Sequence, residues 1–156
     1  SEGIYEDMNK AVVAQFYWAP DRSARDTLEE YIEYEFGPGV RSDVLSLVDI
    51  LEAAAGASYQ KKPVSEDEAR RARSLAERAH AKLPEWGQKN WRWQILRLRA
   101  ILDHERFAGD GLTTPEAEAA LLRLIEIYHC QLETDDPYHH RVRPKSQRAV
   151  SRAGEK

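Results

Sequence analysis

Residues 65–84 read SEDEARRARSLAERAHAKLP and contain the clearest helix start in the chain. Ser65 stands where a hydroxyl can accept a hydrogen bond from the exposed N–H groups of a first helical turn, and Glu68 follows as in a capping box. The acids at the start favour the positive end of a helix dipole, and Pro84 ends the run. Apolar residues recur between these signals at helical spacing, which predicts an amphipathic helix. They are Ala72, Leu75, Ala76, Ala79 and Leu83.

Two more helices are predicted immediately before this stretch. One covers about residues 41–55, has a wide apolar face and is followed by a polar loop over residues 56–64. The other begins at Asp21 or Ser23, either of which can cap it. It ends before Gly37-Pro38-Gly39, because glycine suits a left-handed cap and proline cannot continue a helix.

The first predicted helix, over residues 7–18, is apolar on nearly every side. Asp7 can cap it, and Ala19-Pro20 ends it because the residue before a proline is pushed out of the α region. A helix that is apolar on every side is normally buried by other parts of a protein. We therefore expect another domain or chain to cover part of it. The candidate interface residues are Val12, Val13, Phe16, Tyr17 and Trp18.

The C-terminal part predicts two helices and a tail. The helices cover about residues 88–107 and 114–133, the second with Thr114 as its cap and Pro115 at its first position. Residues 137–156 contain six Lys and Arg residues and only two large aliphatic residues, which predicts a flexible, disordered tail. The predicted fold is all-α: a bundle of five to six helices, mainly antiparallel, within a domain over residues 1–136.

The composition is that of one globular domain and argues against two classes of partner. The chain has 156 residues, of which 42% are hydrophobic and 32% charged, and its net charge of −4 argues against a nucleic-acid surface. No stretch has the roughly 20 apolar residues that span a bilayer, so no membrane partner is expected. The single cysteine excludes an internal disulfide. Because the sequence starts at Ser1 rather than Met, we expect a piece of a longer polypeptide or a processed product.

Three groups of residues resemble parts of catalytic or metal sites, and none has the required arrangement. The spacing of His129-Cys130 and His139-His140 fits no zinc pattern. The acids of the second helix, from Glu29 to Glu35, alternate with a hydrophobic stripe, which indicates a solvated face rather than a glycosidase carboxylate pair. Asp103-His104-Glu105 are neighbours on a helix and are not expected to face one another. We expect no catalytic residue, no metal site and no cofactor.

The four tryptophans could serve as stacking platforms for sugar rings. Trp91 and Trp93 lie in an apolar helix, which favours a place in the core. Trp18 and Trp86 lie beside helix breakers and are expected to be partly exposed.

Three N-terminal segments carry a family resemblance: SEGIYEDMNK (1–10), QFYWAPDR (15–22) and EYIEYEFGP (30–38). They resemble the junction after the last barrel strand of large bacterial TIM-barrel glycoside hydrolases, a group that includes α-glucuronidases and hexosaminidase-like enzymes. There a W-x-P-D element and an E-Y-x-x-x-x-F-G-P helix end begin a C-terminal helical domain that packs on the barrel.

The resemblance implies that residues 1–6 are a remnant of a barrel loop, with Glu2 and Tyr5 near a sugar and the catalytic carboxylates upstream of Ser1. The chain would then be a non-catalytic accessory domain whose partner is the catalytic barrel of the same polypeptide or a second copy in a homo-oligomer. The alternative is a free-standing helical module that binds another protein in a groove between helices. The two hypotheses differ in whether the first helix is left uncovered.

Overall fold

The computed structural model describes residues 6–60, 65–108 and 114–129, and all the regular structure in these ranges is helical. This confirms the prediction of an all-α fold. The predicted tail over residues 137–156 lies outside the described residues. The α-helices are α1 (Glu6–Trp18), α2 (Ala24–Phe36), α3 (Arg41–Tyr59), α4 (Glu66–Lys82), α5 (Glu85–Lys89), α6 (Trp91–Ala108) and α7 (Pro115–His129), and a 3-10 helix spans Pro38–Val40.

Three of the predicted helix starts are capped by the expected side chains. Ser65 Oγ accepts a hydrogen bond from the backbone N–H of Glu68 at 3.3 Å. Ser23, rather than Asp21, caps α2, and Thr114 caps α7. Each bond satisfies one of the N–H groups that a helix start leaves without an intrahelical partner.

Two boundaries differ from the prediction. Helix α3 continues through Gly56 to Tyr59, because one glycine in a helix interior costs only about 1 kcal/mol and does not force an end. The segment Glu85–Lys89 forms the short helix α5, so α6 begins later than expected. Its start is set by Asn90, whose side-chain oxygen accepts a hydrogen bond from the N–H of Arg92 at 2.9 Å.

The chain divides into two compact units, Ser1–Arg97 and Leu98–Lys156. In the first unit, side-chain contacts show that neighbouring helices run antiparallel. Asp43, in the first turn of α3, accepts hydrogen bonds from Arg78 and Lys82 near the end of α4. The same sense is shown by Arg25–Asp49 and Arg41–Glu33 between α2 and α3, Tyr31–Asp7 between α1 and α2, and Arg97–Glu77 and Trp93–His80 between α6 and α4.

The core of the first unit is built from one face each of α2, α3 and α4 and from the start of α6. On α4 the side chains of this face are mostly alanines, which lets α3 and α4 pack closely. The largest fully buried side chains are Trp93, Ile32, Leu47, Leu96, Val44 and Val48.

Trp93 lies at the junction of three helices of this unit. Its ring meets Phe36 of α2 edge-on, with centroids 6.0 Å apart, and lies side by side with the nearly parallel ring of His80 of α4, with centroids 6.4 Å apart. The indole N–H donates a hydrogen bond to His80 Nδ1 at 3.1 Å. Since that nitrogen accepts, it carries no proton and the imidazole is neutral.

In the second unit, the described residues are the later turns of α6 and helix α7. Asp103 and Glu105 of α6 are buried, and each has a basic neighbour on its own helix. Arg99 Nε donates to Asp103 at 3.0 Å, and His104 Nδ1 lies 3.0 Å from a carboxylate oxygen of Glu105. Pairing of this kind reduces the penalty of burying a charged group.

Candidate interaction surface

The outer face of α1, defined as Val13, Ala14, Phe16, Tyr17 and Trp18, is apolar and exposed to solvent. The exposed fractions are 53% for Val13, 44% for Phe16, 85% for Tyr17 and 87% for Trp18. These residues fill the solvent side of the last two turns of the helix. Four of the five predicted interface residues therefore lie where a partner could contact them.

The opposite side of α1 packs on its own unit. Met8 is buried there, and Val12, one helical turn later, is half-buried. This side contacts α2. Val12, the fifth predicted interface residue, therefore lies on the inner side of the helix. Helix α1 is anchored by this inner side and has apolar residues on its inner and its outer side.

Three neighbouring aromatic rings on the outer face of α1 are exposed together. An aromatic side chain has about 150–250 Å² to bury, so the rings of Phe16, Tyr17 and Trp18 present roughly 400 Å² to solvent. The largest apolar patch on a typical monomer is about 300–600 Å², and such patches are often functional. At roughly 400 Å² this face lies inside the ordinary range, so the feature that makes it a candidate is the placement of three exposed aromatic rings on one helix, not the area.

A polar cluster holds α1 against the rest of the unit. The Asp7 carboxylate accepts hydrogen bonds from the Tyr31 hydroxyl of α2 and from Arg92 Nε of α6. The bond from Arg92 lowers the pKa of Asp7 below its usual value. Burial, followed by the bond to Asp7, raises the pKa of Tyr31. We call Asp7, Tyr31 and Arg92 the Asp7 cluster.

The Asp7 cluster corrects the prediction that Asp7 caps the first helix. Helix α1 begins at Glu6, and the Asp7 side chain turns toward α2 and α6 instead. Asp7 and Arg92 are 85 residues apart, so no local pattern could have revealed the pair. The signal that the sequence does offer is an acid at the start of a helix whose later turns are mostly apolar.

The tryptophans follow the prediction except at Trp91. Trp93 is fully buried, and Trp18 and Trp86 are exposed, as expected. Trp91 was expected in the core but is 46% exposed. It is the first residue of α6, where its ring lies 4.4 Å from the Arg92 guanidinium, so a cation–π contact replaces apolar packing.

The four glutamates of α2 are paired with arginines. Each of the four lies within ion-pair distance of a guanidinium. Three keep 38–65% of their side-chain surface exposed, and Glu35 keeps 15%. The pairs are Glu29–Arg25 at 3.7 Å, Glu30–Arg22 at 2.6 Å, Glu33–Arg41 at 2.7 Å and Glu35–Arg92 at 3.7 Å. These carboxylates neutralise local positive charge instead of facing each other across a cleft.

The expectation that residues 103–105 do not face one another was wrong for one pair. His104 and Glu105 are hydrogen-bonded although they are adjacent, because both side chains are long enough to bend toward each other along the helix surface. Asp103 belongs to a different group, with Arg99 and Arg106. The three residues therefore do not form a relay.

Several predicted residues lie outside the described part of the chain. They include Glu2 and Tyr5 of the proposed loop remnant, and Cys130, His139 and His140. The described ranges contain no group of three or more His, Cys, Asp or Glu side chains that could hold a metal. No helix in those ranges has the length and apolar character required to cross a membrane.

Comparison with known proteins gives no relative on which to base an assignment. No protein-family model, no curated protein and no solved structure matches this chain.

Proposed function

We propose that this chain is a non-catalytic helical accessory domain that associates with a partner through the outer face of α1. The observation that carries the proposal is the exposure of Tyr17 and Trp18, at 85% and 87%, beside Val13 and Phe16. One side of α1 is anchored by Met8 and the Asp7 cluster, so the helix presents its apolar residues from a fixed position.

The free energy available from burying this face favours association with a partner of substantial size. Covering roughly 400 Å² of ring surface is worth about 10 kcal/mol at 25 cal/mol per Å². Association costs an estimated 4–15 kcal/mol in lost translational and rotational freedom, so these rings alone support only weak binding. A stable complex needs additional surface around them, which a folded domain provides and a short peptide does not.

The family resemblance suggests which domain the partner is. The segment QFYWAPDR, over residues 15–22, includes three of the five residues of the outer face of α1. In the glycoside hydrolases that it resembles, this element starts the helical domain that packs on the catalytic barrel. We therefore propose that the partner belongs to a carbohydrate-active enzyme, either its barrel or a second accessory domain.

An immunoprecipitation tests the proposed enzyme context. Antibodies raised against this chain should recover, from cells that encode it, a polypeptide much heavier than the 17.9 kDa of the chain, and aryl-glycoside hydrolysis should be recovered with it. The purified chain should hydrolyse none of the same substrates, since hydrolysis needs two carboxylates placed about 5–10 Å apart around a sugar. A free species of about 17.9 kDa without glycosidase activity would favour the free-standing module instead.

A pair of charge substitutions tests the surface itself. Val13→Lys combined with Tyr17→Glu keeps the net charge, and we expect it to raise the solubility of the chain with little change in Tm. The matched control is Tyr34→Glu with Tyr59→Lys, at side chains that are 86% and 91% exposed on α2 and α3. The control should change neither the solubility nor the Tm. Unfolding of the α1 variant, or equal solubility of both variants, would contradict the proposal.

A further inference from the structure

We infer that the outer face of α1 pairs with the same face of a second copy of this chain, with the two helices antiparallel. This inference rests on the proposed function, because it takes the outer face of α1 to be an association surface. It goes further in naming the occupant and the register.

A helical partner would contact one line of residues along α1. Lys10, Val13, Ala14 and Tyr17 follow one another at i, i+3, i+4 and i+7, so they lie along one side of the helix. All four are exposed. Phe16 and Trp18 flank this line on its two sides.

This line of residues is complementary to the same line on a second helix that runs in the opposite direction. A two-fold axis between positions 13 and 14 places Val13 of each copy against Ala14 of the other, and Lys10 against Tyr17. The two smallest side chains then meet where the helices cross, which allows the close axis separation of about 8–10 Å typical of packed helices. A symmetric interface requires this self-complementarity.

The charges on α1 favour the antiparallel arrangement. Helix α1 has no basic residue in its last turn, so no cation of its own offsets the negative end of its dipole there. In the antiparallel pair, the Lys10 ammonium of one copy lies over the Tyr17 ring of the other, close to that end. A cation over an aromatic ring contributes about 0.5–1 kcal/mol at an exposed site. A parallel pair would instead bring the two Lys10 ammonium groups together.

The surface buried between the two copies limits the strength of the association. Two copies present roughly 800 Å² of ring surface between them, of which the pair covers only part, because the Phe16 and Trp18 rings lie on the two flanks of the contact line. The buried area is therefore below the roughly 1,000 Å² expected of a stable interface. The structure therefore fits a reversible dimer with a dissociation constant in the micromolar range or weaker.

Sedimentation velocity of the full chain over a concentration series tests the pairing. The weight-average mass should rise from 17.9 kDa toward twice that value at high concentration. Tyr17→Lys should weaken association at least tenfold, because it places two ammonium groups side by side. Adding Lys10→Glu should restore it, since the new carboxylate at position 10 of one copy then faces the new ammonium at position 17 of the other. Tyr34→Lys, a matched change on α2, should have no effect.

The rescue is specific to the antiparallel register, because positions 10 and 17 meet only in that arrangement. Circular dichroism should show the same helix content in every variant, which separates loss of association from loss of folding. A wild-type chain that stays monomeric at millimolar concentration, or a double variant without rescue, overturns the inference. If Tyr17→Lys still raises solubility in that case, the proposed function survives; if it changes nothing, both fail.

Discussion

At the scale of single residues, the His80 ring ties protonation to folding. The bond from the Trp93 indole requires a neutral Nδ1, and protonation would set two N–H donors against each other. Burial lowers the pKa of His80 below 6.5, the nearby Arg97 lowers it further, and Glu77 acts in the opposite direction. The folded pKa thus lies below the value in the unfolded chain.

A loss of stability on mild acidification follows from this shift. The unfolded chain binds a proton on His80 at a higher pH than the folded chain, so stability is full above about pH 6.5 and falls as the pH drops through the folded pKa. Urea unfolding of the wild-type chain and of His80→Asn, between pH 8 and pH 5, measures the effect. Asparagine keeps an acceptor near Nδ1 but does not titrate. The wild type should lose stability relative to the variant as the pH falls, and parallel curves would contradict the assignment.

Two glycines should respond to the same substitution with opposite signs. Gly37 has φ 90° and ψ 158°, a region that essentially only glycine occupies, so Gly37→Ala should cost about 1–3 kcal/mol. Gly56 lies inside α3, where alanine is preferred, so Gly56→Ala should add about 0.5–1 kcal/mol. An added Cβ would have no atom within 4 Å at either position, so steric contact does not confuse the comparison. Chemical denaturation of both variants checks the two signs.

At the scale of elements, α1 should be held in place by the Asp7 cluster. Asp7→Asn removes the negative charge that Arg92 and Tyr31 share, so α1 should open more often while α3 and α4 stay closed. Hydrogen exchange measured by mass spectrometry should show faster exchange in peptides from α1 only. Asp21→Asn, an exposed acid in the segment after α1, is the control and should leave exchange unchanged. Faster exchange throughout the chain would mean that the cluster supports the whole core.

The sequence predicted the helices better than it predicted their contacts. Caps such as Ser65 and Thr114 act within one turn, so a local pattern contains all the information that sets the helix start. The end of α3 was missed because one glycine weakens a helix without stopping it. The apolar residues of α1 indicated that part of the helix would be uncovered but not which side, because they surround it. The bond that helps to fix the inward side joins residues 85 apart, so it could not be predicted from a local pattern.

At the scale of the whole molecule, residues 137–156 are predicted to contribute no packed surface. Their composition provides little apolar area to offset about 1–2 kcal/mol of backbone entropy for each ordered residue. Deleting them should therefore leave the Tm almost unchanged in a thermal melt followed by circular dichroism. A decrease of several degrees would show that this segment packs on the helices.

The distance along the chain between Asp7 and Arg92 also has a consequence for biosynthesis. A ribosome adds about 5–20 residues per second, so Arg92 is made roughly 4–17 s after Asp7, which lies 85 residues before it. For much of that interval α1 is outside the exit tunnel without the arginine that secures it. Its tryptophan and tyrosine side chains are then open to whatever binds nascent apolar segments. Of the helices described, α1 emerges before the others, so a ribosome-associated chaperone would meet it before α2 to α7. The fraction of newly made chain that reaches the folded state should depend on that encounter.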